Sequence, residues 1–479
     1  MDKAEGRHLV FISIPIVGHL IPMVAFAKLL TPRFQITILT MNPPLPNWAA
    51  PSAAYLASLR SENNNNTDHD LSRIRFLQLP SVDFQVDHTN HAFTTMSRFI
   101  DAHKFNVKEA ISDLQQTPNV HVYAVVTDFV TSMIDVANEL RIPAYVYFPS
   151  SAACLSIMLY PPSQSQLTDD MVDVVGISPV PADAMPGLIT DPDGYDTFTY
   201  HGRRFNKAQG IIVNTFKELE PAVADALSAK SVLGDATSDD GHYVDVLPPV
   251  YTVGPVISIP TETSQHECIR WLDDQPPLSV VYLCFGSMGW FETKQVRQLA
   301  HGLERSQHRF LWVLRCPSNE DGSRGDTDLE RIGLPDEFLK RTRSRGLVWG
   351  SWVPQMDILL HSSVGGFVTH CGWNSCLEAV WAGVPMLAWP LYAEQKFNKC
   401  EMVEDMGVAL PIISKDGEGV MDAEEVEKGV RCLMGESEEG IKVRIRVTKM
   451  KDESRKAVQT RSGSSYHALE LWIQNILSF

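Results

Sequence analysis

The chain opens with a pattern that few folds can accommodate. A continuous apolar run, His8 to Ile14, is followed by a short turn, Pro15 to Gly18, and an apolar segment, His19 to Leu30. A second apolar run follows at once, Phe34 to Leu39. Uninterrupted apolar strands are buried on both faces, and a strand, helix, strand order requires a parallel crossover. The opening is therefore a βαβ unit, with Pro22 expected in the first helical turn, where a missing N–H is tolerated. Strands predicted at Val122 to Thr127 and Ala144 to Phe148 flank a helical stretch from Met133 to Leu140, and continue the same scheme.

At 479 residues the chain exceeds one ordinary core, so two domains are expected. The Pro-rich stretch Leu247 to Pro255 reads as an interdomain crossover, which places a first domain at 1–249 and a second at 250–463. Beyond it a strand at Ser279 to Phe285, a turn at Gly286 to Gly289 and a helix at Glu292 to Arg305 start a second series. Strands at Phe310 to Leu314, Leu347 to Gly350, Gly366 to Thr369 and Pro385 to Ala388 alternate with helices. That is a second doubly wound α/β domain. The segment 464–479 is helical in pattern and is expected to pack back on the first domain.

Charge and cysteine usage exclude several functions. A formal net charge of −17 with no basic block repels nucleic acid and anionic lipid surfaces. Eight cysteines without a CxxC pair or zinc spacing point to a reduced, cytoplasmic protein. No run approaches ~18 apolar residues, so no transmembrane segment is expected. Three D-x-D matches, Asp68-His-Asp70, Asp191-Pro-Asp193 and Asp326-Thr-Asp328, lie in polar stretches and read as solvated charge, so no metal is expected.

The densest cluster of functional residue types runs from Phe367 through His370, Gly372, Trp373, Asn374, Ser375 and Glu378 to Gly383, and reads as strand, turn, helix. A helix N-terminus carries unpaired N–H groups and partial positive charge, so Asn374 and Ser375 are placed to bind phosphate, with His370 as a further donor. Glu378 lies four residues after Asn374 on the same face, where a carboxylate can accept from the two hydroxyls of a ribose. The chemistry suggested is a nucleotide.

These residues resemble the plant secondary-product glycosyltransferases, whose 44-residue signature box here runs from Trp352-Val-Pro-Gln355 through His370-Cys-Gly-Trp-Asn-Ser375 to Tyr392-Ala-Glu-Gln395. The resemblance implies two Rossmann-like domains facing across a cleft, the glycosyltransferase-B type, with the acceptor in the first and the UDP-sugar in the second. It implies that Trp352 stacks on uracil, that Val353 and Gln355 bond its edge or the ribose, and that His370, Asn374 and Ser375 hold the diphosphate. Glu378 then binds ribose, Trp373, Glu394 and Gln395 contact the sugar beside Tyr392, and Ser287 touches the diphosphate. A Trp at position 373 with Gln395 is similar to the glucose-using pattern, so UDP-glucose is the expected co-substrate.

By the same resemblance His19 is the general base and Asp128 its partner in an inverting transfer to a hydroxyl, or another nucleophile, of a small phenolic or flavonoid. The residues themselves fit this. His19 follows a strand at a helix start, where the dipole favours the neutral ring, and Asp128 ends a strand at the edge where α/β ligands bind. Either residue alone would be read as structural, and Trp381 is assigned to the core. Where the family often has Gly, two residues before the Gly-His pair, this chain has Ile16. Phe93, Phe129 and Trp290 are candidate acceptor-pocket walls. A monomer is expected. Two rivals remain: an oxidoreductase, whose G-x-G-x-x-G is missing from both domain starts, and a non-catalytic sugar-nucleotide or phenolic-binding protein on the same fold.

Overall fold

The structure, a computed structural model, describes residues 6–64, 71–232, 247–260, 264–316, 332–413 and 419–478. Two of the D-x-D matches, at 68–70 and 326–328, lie outside the described residues. The chain divides into two compact units, Met1–Ile257 with Lys456–Phe479, and Ser258–Arg455.

The first unit is built on β1 (Arg7–Ile12), β2 (Gln35–Thr40), β3 (Ile74–Gln78), β4 (His121–Thr127) and β5 (Ala144–Phe148). A small antiparallel pair follows, β6 (Met171–Val172) and β7 (Val180–Pro181), and then β8 (Gly210–Val213) and β9 (Val250–Thr252). Seven strands form one parallel sheet in the order β3-β2-β1-β4-β5-β8-β9. The chain winds outward from β1 to one side and from β4 to the other. The junction of β1 and β4 is therefore the switch point, where ligands of open α/β sheets bind beyond the strand ends.

The helix Val17–Leu30 supplies Met23, Val24, Phe26, Ala27 and Leu30 to the core over Phe11, Ile36, Ile38 and Val126. Pro22 is its sixth residue, not part of the first turn, so its ring removes one internal helix hydrogen bond. Ile16 precedes this helix at φ −120°, ψ 138°, ordinary extended backbone that a β-branched residue adopts freely.

The expected boundary at 249 is corrected. Pro249 offers its carbonyl to the N–H of Ile211, and Val250 to Thr252 pair with β8 as the edge strand of the first sheet. An edge strand is bonded on one side only, so prolines are compatible with it. Asn214 then clamps Val256 through both its backbone groups. The helix Ser464–Leu477 inserts Trp472, Ile473 and Ile476 into the first unit's core, with Trp472 5.4 Å from the ring of Phe26 and 5.7 Å from that of Tyr145. An ion pair between Arg33 and Glu470 holds its outer face.

The second unit repeats the plan with β10 (Val280–Cys284), β11 (Arg309–Val313), β12 (Gly346–Trp349), β13 (Val364–Thr369), β14 (Met386–Ala388) and β15 (Ala409–Pro411). Their order is β12-β11-β10-β13-β14-β15, all parallel, with the switch point between β10 and β13. The helix Thr293–Ser306 places Val296, Leu299, Ala300 and Leu303 on this sheet's Val281, Leu283, Phe310 and Trp312.

Candidate active site

In the first unit the backbone alone brings the two candidate catalytic residues to the switch point. His19 is the third residue of the helix that follows β1, and Asp128 follows β4, with its N–H extending the ladder to Ile12. The Asp128 side chain is buried and saturated with donors. Its Oδ1 accepts the N–H of Phe129 at 2.8 Å and its Oδ2 that of Ile14 at 3.3 Å. Nδ1 of His19 donates to Oδ2 at 3.1 Å. The carboxylate thereby selects the tautomer in which Nε2 is the basic nitrogen, and a quarter of the His19 side chain stays accessible.

An aromatic wall adjoins this pair. The Phe129 ring lies 5.4 Å from His19, 5.6 Å from Phe93 and 5.6 Å from Phe148. Behind it stands His201, which nothing in the sequence singled out. The N–H of Thr131 donates to its Nδ1 at 3.1 Å, so its Nε2–H points to Oγ of Ser97 at 2.7 Å. Burial lowers the pKa of this ring to about 4, against the opposing pull of Asp101, so it is a neutral strut for the loop after Asp128. Asp191 and Asp193 are not solvated charge. The first caps the helix Pro192–Arg203 through the N–H of Gly194, and the second accepts the N–H of His91.

In the second unit the helix Trp373–Ala382 starts at Gly372 without a side-chain cap, so its first N–H groups are not claimed by a capping side chain. The turn before it bends through Cys371 at φ +65°, a conformation that costs a non-glycine residue of order 1 kcal/mol. Asn398 stabilises that turn by donating to the Cys371 carbonyl at 2.9 Å.

His370 is buried beside it, and glycines make the space. A Cβ on Gly286 or Gly372 would sit 2.5 Å from its Nε2, and Gly286 has φ +76°. Burial lowers the His370 pKa to about 4, opposed by a hydrogen bond to the Cys284 carbonyl. Nδ1 is buried with no hydrogen-bond partner among the described residues. His370 thus stands as a neutral ring next to the start of that helix, whose Gly372 would clash with it if it carried a Cβ.

Gln355 heads the helix Gln355–Leu360, and its Nε2 donates to Oε2 of Glu378 at 2.6 Å and to Oγ of Ser375 at 3.0 Å. Dense surroundings raise the Glu378 pKa to about 7, a shift the Gln355 bond opposes. Gln395 is buried, and its Oε1 accepts the N–H groups of Leu391 and Tyr392 at 2.9 and 3.0 Å, which leaves its amide nitrogen as the outward group. Glu394, half-buried, precedes it at the helix start. Ser287 is half-buried in the turn after β10, Val353 and Trp373 are buried, and the Tyr392 ring lies 6.4 Å from His370. Trp352 is 70% exposed, and Trp290 is also exposed.

Comparison with known proteins gives a consistent picture. Residues 219–437 match the family model described as UDP-glucoronosyl and UDP-glucosyl transferase. Over 473 residues the chain is 41% identical to a malvidin galactosylase of Oryza sativa subsp. japonica, covering 94% of this chain and 93% of the relative. It is 39% identical to UDP-glucose flavonoid 3-O-glucosyltransferase 6 of Fragaria ananassa, with 99% of each covered. Its fold is similar to that of a UDP-glucosyltransferase from Polygonum tinctorium capable of glucosylating indoxyl, solved with 3,4-dichloroaniline. There the TM-score is 0.85 at 34% identity, with 99% of each chain covered.

Proposed function

The chain belongs to the UDP-glucoronosyl and UDP-glucosyl transferase family, is a glycosyltransferase using a UDP-sugar, and, we propose, moves glucose from UDP-glucose to a hydroxyl of a small plant phenolic, with inversion and without a metal. The observation that carries this reading is the His19–Asp128 pair at a sheet switch point. Nε2 of His19 takes the proton of the acceptor hydroxyl, and Asp128 stabilises the imidazolium that forms. The oxygen attacks the anomeric carbon as the bond from that carbon to the diphosphate oxygen breaks. One displacement inverts the centre and needs no covalent intermediate.

The departing UDP carries the charge, and the uncapped N-terminus of the helix Trp373–Ala382 is suited to receive it. Trp352 stacks on the base, Glu378 accepts from the ribose, and the outward amide nitrogen of Gln395 donates to a sugar hydroxyl. The relatives named above use different hexoses by their names, a galactosylase and a glucosyltransferase. Trp373 together with Gln395 favours glucose here. A phenolic acceptor is supported by the Phe129, Phe93 and Phe148 wall beside His19, since offset aromatic contacts favour a planar ring. We place the reaction in the cytoplasm, in keeping with eight cysteines outside any disulfide.

Incubation with UDP-glucose, a panel of flavonols and simple phenols, and EDTA should release UDP and yield the β-glucoside. No turnover of any acceptor, or turnover that stops on chelation, refutes the proposal.

A further inference from the structure

Tyr282 lies mid-strand in β10, fully buried and stacked on Phe367 of β13 at 5.0 Å between centroids. It is 73 residues from Gln355, yet its hydroxyl donates to Oε1 of that side chain at 3.2 Å. The bond decides which way the amide faces. With Oε1 held as an acceptor, both hydrogens of Nε2 point to Glu378 and Ser375. A primary amide has only those two donors, so Gln355 has no donor left for a ligand and acts through its neighbours.

We propose that Tyr282 is a positioning residue for ribose recognition, which acts through Gln355 to present the Glu378 carboxylate to the 2′- and 3′-hydroxyls of the nucleotide. This rests on the reading of the second unit as a UDP site. The two ends of an amide have nearly the same shape, so its orientation is held by the tyrosine hydroxyl at Oε1 together with the acceptors at Nε2, and loss of the hydroxyl removes one of the two restraints on rotation by half a turn. In the rotated state Oε1 faces the Glu378 carboxylate, acceptor against acceptor. The carboxylate then moves aside or takes a proton, and in either case the ribose loses an acceptor. Cys284, two residues along β10, and Arg315 and Glu378 act on the same hydroxyl electrostatically. None of these replaces the tyrosine as donor to Gln355.

The test compares UDP with 2′,3′-dideoxy-UDP by titration calorimetry on the full chain. Wild type should prefer UDP by roughly tenfold or more, the worth of a hydrogen bond to a charged acceptor. In Tyr282→Phe the affinity for UDP should fall about tenfold while that for 2′,3′-dideoxy-UDP changes little, so the preference collapses. Gln355→Met, which leaves the β10 core intact, should collapse it as well. In a Glu378→Ala background Tyr282→Phe should have no further effect on either ligand. A full preference for UDP retained in Tyr282→Phe, or a parallel loss for both ligands, overturns the inference while the nucleotide site stands. Wild type that binds neither ligand overturns the nucleotide reading and this inference with it.

Discussion

Replacing Asp128 by Asn tests the proposed base in its most exposed assumption, that the carboxylate charge and not its shape supports His19. Asn is nearly isosteric and can keep the 2.8 Å bond from the Phe129 N–H through its oxygen. Its amide nitrogen then takes the place of Oδ2 and faces two donors, the Ile14 N–H at 3.3 Å and Nδ1–H of His19 at 3.1 Å. The conflict at His19 is relieved if the ring changes tautomer, which puts the proton on Nε2 and removes the base. The electrostatic loss is of similar weight. Opposite unit charges about 3 Å apart at an effective dielectric near 20 attract by about 5 kcal/mol. Allowing for solvent at the quarter-exposed ring leaves about 4 kcal/mol of imidazolium stabilisation, or roughly a thousandfold in kcat. Initial rates at saturating UDP-glucose and acceptor, with UDP affinity and thermal unfolding measured alongside, give the answer. UDP affinity should be unchanged. A kcat within tenfold of wild type, in a variant of wild-type stability, refutes the role of Asp128.

Three further expectations follow from the second unit. Gly286→Ala puts a Cβ 2.5 Å from the buried His370 ring at φ +76°, and should lower the melting temperature by several degrees and weaken UDP binding, both read in a thermal-shift titration. Glu378 has its pKa raised to about 7 from an ordinary 4.5, so the folded state keeps a proton that the unfolded state releases, and stability falls as pH rises between those values. Glu378→Gln should therefore unfold at a higher temperature than wild type above pH 7, lose that advantage near pH 4.5, and bind UDP less well. Equal stability of the two at pH 8 contradicts the assignment. Gln395→Glu retains an acceptor for the N–H groups of Leu391 and Tyr392 but replaces the outward donor by an acceptor. Turnover with UDP-glucose should drop at least about tenfold with UDP affinity preserved, and unchanged kinetics in a donor competition assay would remove Gln395 from sugar recognition.

What the sequence determined by itself about this protein is local. Apolar runs and the helical spacing of Val296, Leu299 and Leu303 identify strands and helices, because burial periodicity follows from backbone geometry within a few residues. The strand, turn and helix from Val364 to Ala382 place His370, Asn374, Ser375 and Glu378 without reference to the rest of the chain. The tertiary structure decided what depends on strand order. His19 and Asp128, 109 residues apart, meet because β1 and β4 are neighbours at the point where the winding reverses. Only the packed neighbourhood buries His370 and lowers its pKa, uses both donors of Gln355 within the fold, and sets His201 against Phe93. A proline-rich stretch that looks like a linker becomes an edge strand for the same reason, since a proline's missing donor matters only on the side where a partner stands. Hydrogen-bond saturation is a property of neighbours in space, and those neighbours come from strands and helices far apart along the chain.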